Sequence, residues 1–247
     1  MKTTYLWMIV VALLVLVSYT YLFKKKGDQK TLFIFLGAPG SGKGTIAERC
    51  VKNLKFATVS TGQLLRDAIA RGDELGKQAE GLVAQGRLVP DELVAGMVDD
   101  WLTRNIDKID TLMLDGYPRT EKQAQMLDVL LKQKFPQVTM RLVKIDISDD
   151  AIVARIADRL VCENKSCSAV YSRKLLKVGQ ETCSACGGKL IRRADDQEAV
   201  VRERLKVHAQ HADMLLKFYK NVGVRIDELN VEGKLSEAVF ADFKKLL

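Results

Sequence analysis

Residues 37–44 read GAPGSGKG, which sets Gly37, Gly42 and Lys43 in the pattern G-x-x-x-x-G-K. Glycines at these places let the backbone curl until successive N–H groups converge. A helix N-terminus beside them adds partial positive charge. A lysine next to such a nest reaches the outer oxygens of a polyphosphate. The chemistry open to this set is phosphate binding and phosphoryl transfer. The residue after Lys43 is Gly44, and the hydroxyl stands one place later, at Thr45.

Transfer between two phosphates needs no serine or cysteine nucleophile, and an acceptor phosphate is already an anion. It needs in-line positioning and positive charge around the moving group. Arginines are placed for that work. Arg66 follows STG at 60–62, Arg119 follows LDGYP, and Arg155 and Arg159 are expected one helical turn apart. Arg193 and Arg204 flank the acidic pair Asp195 and Asp196. A guanidinium holds phosphate through two parallel hydrogen bonds. Asp115 ends an apolar run, where a carboxylate can face magnesium-bound water. His208 and His211 fall at i and i+3 with no third ligand nearby and read as a surface helix. Cys50 reads as a small buried residue of the first helix.

Cys162, Cys167, Cys183 and Cys186 are separated by four, fifteen and two residues. Two close pairs on a connecting hairpin suit tetrahedral zinc. In CSACGG, glycines after the second cysteine would let backbone N–H groups turn toward sulfur. Five cysteines, four of them clustered, argue against a secreted disulfide framework.

These residues need elements to hold them. TLFIFLG, TLMLDG (111–116), MRLVKIDIS (140–148) and VRIDELN (224–230) read as strands. Helical patterns separate them at 62–70, 74–85, 91–102, 121–132, 149–160 and 196–221, with one more after the glycine-rich loop. Strands alternating with helices predict an α/β fold with a parallel sheet flanked by helices. Residues 161–193 break the rhythm and read as an insert. In 247 residues, 47% hydrophobic and 28% charged, a packed core is expected and disorder is not. The net charge of +8 suits nucleic acid, an anionic membrane or polyphosphate, and does not choose among them.

GAPGSGKGT resembles the phosphate loop of adenylate kinases and other nucleoside-monophosphate kinases. STGQLLR (60–66), GRLVPDELV (86–94), LDGYPRT (114–120) with Gln123, and RRADDQEAVVRERL (192–205) resemble that family's further motifs in order. The resemblance covers residues 31–247. It implies a P-loop NTPase fold with an AMP-binding insert near 60–89 and a lid near 159–196. The implied reaction is ATP + AMP ⇌ 2 ADP with Mg2+, by a monomer that binds no nucleic acid. Gly40, Ser41, Gly42, Lys43, Gly44 and Thr45 would hold the ATP phosphates, with Arg159, Val170 and Tyr171 bordering that nucleotide. Thr61, Arg66, Arg87, Leu88, Val89, Gly116, Arg119 and Gln123 would hold AMP, assisted by Arg193 and Arg204. Lys43, Arg119, Arg155, Arg193, Arg204 and Asp115 would carry the chemistry. A structural Zn2+ on the four cysteines would stiffen the lid, although relatives usually have two residues in the first gap.

A GTP:AMP phosphotransferase or another nucleoside-monophosphate kinase is the neighbouring reading. A long cysteine-bearing lid argues against the pyrimidine kinases of the family. A zinc-ribbon nucleic-acid-binding protein leaves the phosphate loop and LDGYPRT unexplained. A regulatory GTPase would need N-K-x-D and a hydroxyl directly after the lysine.

Residues 1–30 lie outside the resemblance. Tyr5 to Phe23 are 19 uncharged residues, which as a helix reach roughly 28 Å, enough to span a bilayer core. Aromatics stand at both ends, and Lys24, Lys25, Lys26 and Lys30 follow. The expectation is a membrane anchor at 5–23 with a linker, and a catalytic domain facing the cytoplasm; a cleaved signal peptide is the chief alternative, though it usually has a shorter apolar core and a small-x-small cleavage site.

Overall fold

The computed structural model describes residues 29–164, 167 and 169–247. The expected anchor at 5–23 lies outside these residues. Among the described residues no helix is long and apolar enough to cross a membrane.

Five strands form one parallel sheet: β1 (Lys30–Leu36), β2 (Ala57–Ser60), β3 (Thr111–Asp115), β4 (Val138–Asp146) and β8 (Arg225–Asn230), in the order β2-β3-β1-β4-β8. β1 is central and pairs with β3 on one side and β4 on the other. Its residues Leu32 to Leu36 are all buried, which explains an unbroken apolar run where an exposed strand would alternate. Successive side chains serve opposite faces. Leu32, Ile34 and Leu36 pack with α4 (Asp91–Asn105), α5 (Glu121–Lys134) and α7 (Glu198–Asn221). Phe33 and Phe35 pack with α1 (Lys43–Leu54) and α8 (Ser236–Lys244), meeting Phe243 edge-to-face at 5.7 and 5.5 Å.

The chain leaves β1 toward β3 and β2, then crosses to β4 and β8. The carboxyl end of β1 is therefore a switch point, where open parallel sheets form their ligand crevice. The loop at 37–42 sits there, and Asp115 ends the neighbouring strand. Residues 60–89 contribute α2 (Thr61–Arg71) and α3 (Glu74–Ala84).

The break expected at 161–193 is a small antiparallel sheet, β6-β5-β7, of β5 (Arg159–Cys162), β6 (Val170–Ser172) and β7 (Leu190–Ile191). The helix expected to reach residue 160 is α6 (Asp149–Ala157), and it stops at Ala157. Asp158 accepts hydrogen bonds from the Ser172 hydroxyl and the Lys174 N–H, which turns the chain into β5. Arg159 consequently pairs with Ser172 and is not one helical turn beyond Arg155. Asp195 and Asp196 lie in a 3-10 turn before α7. β2 and α8 did not stand out in the sequence: β2 has four residues, and α8 is a short helix close to the chain end.

Candidate active site

The loop from Gly37 to Gly42 closes on itself through a Ser41 N–H to Ala38 carbonyl bond of 3.1 Å, and Gly42 opens α1 with φ 99°. Gly40 has φ 87°, and a Cβ there would stand 2.6 Å from the Ile156 side chain. Only glycine lets the loop lie this close to α6. The Lys43 ammonium donates to the carbonyls of Gly37 at 2.7 Å and Ala38 at 2.8 Å. Burial lowers its pKa to about 8 against the attraction of Asp115. Asp115 Oδ2 lies 3.5 Å from where a Gly44 Cβ would be, so the carboxylate faces the start of α1.

This loop floors a cleft of about 940 Å³. Thr45, Asp115, Arg155, Arg159, Val170, Tyr171 and Arg193 also line it. A smaller pocket opens beside it, lined by Thr61, Arg66, Arg87, Leu88, Val89, Gly116, Arg119, Gln123 and Arg204. Arg66, Arg119 and Arg204 line both spaces and therefore stand where the two meet.

Arg66, Arg119, Arg155, Arg159 and Arg204 each have a positioning partner. Arg119 Nε donates to the Gly116 carbonyl at 2.7 Å, and the Thr61 hydroxyl donates to the same oxygen at 2.8 Å. Arg155 donates to the Val231 carbonyl at 2.7 Å and sits against Ser41. Arg159 forms a two-pronged pair with Asp196, whose side chain is fully buried. Arg204 donates to Asp195 at 3.1 Å, with Arg66 on the same carboxylate at 3.9 Å. Burial lowers Arg119 to about 10, and Arg204 adds repulsion. Burial also lowers Arg193 to about 10, with repulsion from Arg66 and Arg159. Cations crowded and desolvated in this way form a receptor for polyanionic phosphate.

Three features differ from the sequence expectations. Gln123 meets protein at both ends of its amide: Oε1 accepts from the Arg119 N–H at 2.7 Å and Nε2 donates to Asp91 at 2.8 Å. His208 is not on a free surface. It is half-buried in the cleft wall against the Gly37 backbone, and its Nε2 has no partner. The positions of Asp195 and Asp91 were not foreseen; the signal for Asp195 was an acidic pair inside an otherwise basic motif, and Asp91 had none. Cys50 is fully buried as expected, and burial pushes its thiol up to about 12.

In the small sheet, the four Sγ atoms of Cys162, Cys167, Cys183 and Cys186 lie within 4.8 Å of one another. Cys162 and Cys186 are 3.4 Å apart, Cys167 and Cys183 3.7 Å. A tetrahedral zinc with Zn–S of about 2.3 Å sets its sulfurs about 3.8 Å apart, so this donor set fits the ion. The four-residue first gap is no obstacle, because the Cys167 N–H turns back to the Asn164 carbonyl at 2.9 Å. The glycines act otherwise than expected. The N–H groups directed at Cys183 belong to Ala185 and Cys186. Gly188 clears space, since a Cβ there would lie 2.9 Å from the Cys162 sulfur. Tyr171 pairs its hydroxyl with Cys183 Sγ at 3.1 Å and draws that thiol down to about 6, whereas burial and the Cys186 sulfur push Cys162 up to about 12.

Comparison with known proteins gives the same pattern of kinship over most of the chain. The adenylate kinase family model matches residues 35–224. Adenylate kinase of Petrotoga mobilis is 40% identical over 208 residues, covering 83% of this chain and 94% of that one. Those of Archaeoglobus fulgidus and Bacillus licheniformis are 38% and 37% identical over 216 residues, covering 87% of this chain and 96% of each relative.

Proposed function

The chain belongs to the adenylate kinase family, and from that premise we propose how its residues divide the reaction ATP + AMP ⇌ 2 ADP. The observation that carries the division is the shared wall: Arg66, Arg119 and Arg204 line both the large cleft and the small pocket. A phosphoryl group passing from a donor in one to an acceptor in the other crosses these three guanidiniums.

Gly40 to Thr45 hold the donor phosphates through the loop backbone, and the Lys43 ammonium exchanges the Gly37 and Ala38 carbonyls for phosphate oxygens. Arg155, Arg159 and Arg193 approach from α6 and the lid, where Val170 and Tyr171 border the donor nucleotide. Thr61, Arg66, Arg87, Leu88, Val89, Gly116, Arg119 and Gln123 form the AMP site. Arg119, Arg193 and Arg204 neutralise charge on the equatorial oxygens in the transition state, where fixed cations cost no reorganisation. Asp115 and Thr45 would hold Mg2+, which would supply positive charge to the donor phosphates. The acceptor phosphate needs no base.

The four cysteines would hold a structural zinc, whose role would be to join β5, the turn at Cys167 and the turn at Cys183–Cys186 in the lid rather than to take part in transfer. The lid closes over both nucleotides and excludes water that would hydrolyse ATP. The proposed state is a monomer. For residues 5–23 the proposed role is an anchor, with the kinase domain on the cytoplasmic side. Full-length protein should pellet with membranes and resist carbonate extraction; a wholly soluble full-length protein would refute this.

A coupled assay decides the substrates. With ATP as donor, AMP should be the preferred acceptor over GMP, UMP and CMP, and the same assay with GTP in place of ATP fixes the donor. Phosphorylation of UMP as fast as AMP would sink the assignment of the small pocket.

A further inference from the structure

Gln123 is the third residue of α5, only 2% exposed, and lines the small pocket. The bonds to the Arg119 N–H and to Asp91 Oδ1 fix its side chain from two directions. Asp91 opens α4 and also accepts from the hydroxyl of Thr120, the cap of α5, at 3.2 Å. A glutamine amide can be turned over with little change in shape, and its orientation follows from its partners. Here the two partners agree independently. A backbone N–H only donates and a carboxylate only accepts. An inverted amide would set donor against donor at Arg119 and acceptor against acceptor at Asp91.

After these bonds one Nε2 hydrogen and one Oε1 lone pair remain. We propose that Asp91 is a specificity-determining positioning residue, which locks the Gln123 amide so that the acceptor pocket reads a 6-aminopurine and rejects a 6-oxopurine. This rests on the assignment of Gln123 to the acceptor base made above. A 6-aminopurine presents an acceptor at N1 and a donor at its amino group, which match the remaining donor and acceptor of the locked amide. A 6-oxopurine presents N1–H as donor and O6 as acceptor, the reverse pair. An amide free to turn over serves either base; the locked amide serves the first alone. Mismatch leaves buried polar groups unpaired, which is how hydrogen-bonding sites reject near-isosteres. Asparagine at 91 would accept or donate by rotating its own amide, which leaves the Arg119 N–H alone to oppose the inverted orientation. Serine at 91 is too short to reach Gln123 and likewise leaves the Arg119 N–H as its single lock.

The test is kcat/KM with adenosine and inosine monophosphates, ATP being the donor, for the wild type, Asp91→Asn, Asp91→Ser and Gln123→Ala. In the two Asp91 variants the preference for the 6-amino over the 6-oxo acceptor should fall about tenfold or more, chiefly through a lower KM for the inosine nucleotide. A preference equal to the wild type's in either folded variant overturns the proposal. Gln123→Ala probes the underlying assignment separately and should raise the KM for AMP. An unchanged KM there overturns the base contact itself and the proposal with it. A raised KM beside an unchanged preference in the Asp91 variants overturns the lock alone.

Discussion

Arg204 donates to the Asp195 carboxylate at 3.1 Å, and Arg66 faces the same oxygen at 3.9 Å. The carboxylate supplies between two guanidiniums the negative charge that a substrate phosphate would otherwise supply. Asp195→Asn should therefore destabilise the fold, and AMP should make good part of the loss. Breaking a buried pair from one side costs about 3–5 kcal/mol. These side chains retain some contact with water, so about 1–3 kcal/mol is expected. Thermal melts of wild type and variant, with and without saturating AMP, would show the gap narrowing. A gap of constant width would defeat the charge argument.

Lys43→Met and Arg119→Ala each remove a cation aimed at the transferring group. A fall in kcat of about 10²- to 10³-fold is expected for each, the scale seen when one transition-state donor is lost. Lys43 also fastens the carbonyls of Gly37 and Ala38, so circular dichroism should accompany the kinetics. Near-normal ADP formation by folded Lys43→Met would reject the role given to the loop.

What the sequence made legible follows from where the signals were local. The phosphate loop could be found because glycine, lysine and the flanking strand and helix are neighbours in the chain. Its partners Arg66, Arg119 and Arg204 sit on three elements far apart in sequence, and resemblance to family motifs found them where spacing alone would not. Asp195 and Asp91 were missed as functional because an acidic residue reads as a solvated charge until tertiary structure supplies its partner. His208 was misread for the reverse reason. On α7 its i and i+3 spacing says nothing about which helix face meets Gly37, and that face is set by the packing of α7 against α6 and the loop. The end of α6 was overestimated because Arg159 and Leu160 suit a helix intrinsically, and the Asp158 bonds to β6 and to Lys174 override that preference.

The four-sulfur cluster should carry about one zinc per chain in protein prepared without chelator, because a closed thiolate set binds the ion tightly and couples binding to folding. Cys183→Ser removes the sulfur that also anchors Tyr171. It should lower both the metal content and the melting temperature of the lid. Elemental analysis showing no zinc, with all five thiols titrating freely, would reject the site.

His208 gives a pH signature of its own. Its ordinary pKa is about 6.5, and in the fold it is lowered to about 4, first by burial and then by the cations Lys43 and Arg119, with His211 adding a little. The Gly37 backbone pulls the other way. Above pH 6.5 the imidazole is neutral in both folded and unfolded chains, so it has no effect on the slope. Between about 6.5 and 4 the unfolded chain takes up a proton that the fold refuses, so stability falls as pH falls through this window. Allowing for partial contact with solvent, the loss is on the order of 1–2 kcal/mol. His208→Gln cannot titrate and should flatten this part of the profile. Denaturant melts at pH 7 and pH 4.5 on both proteins separate the histidine from the carboxylates, whose titration is common to the two. An equal loss of stability in wild type and variant would show that His208 is not buried neutral against the phosphate loop.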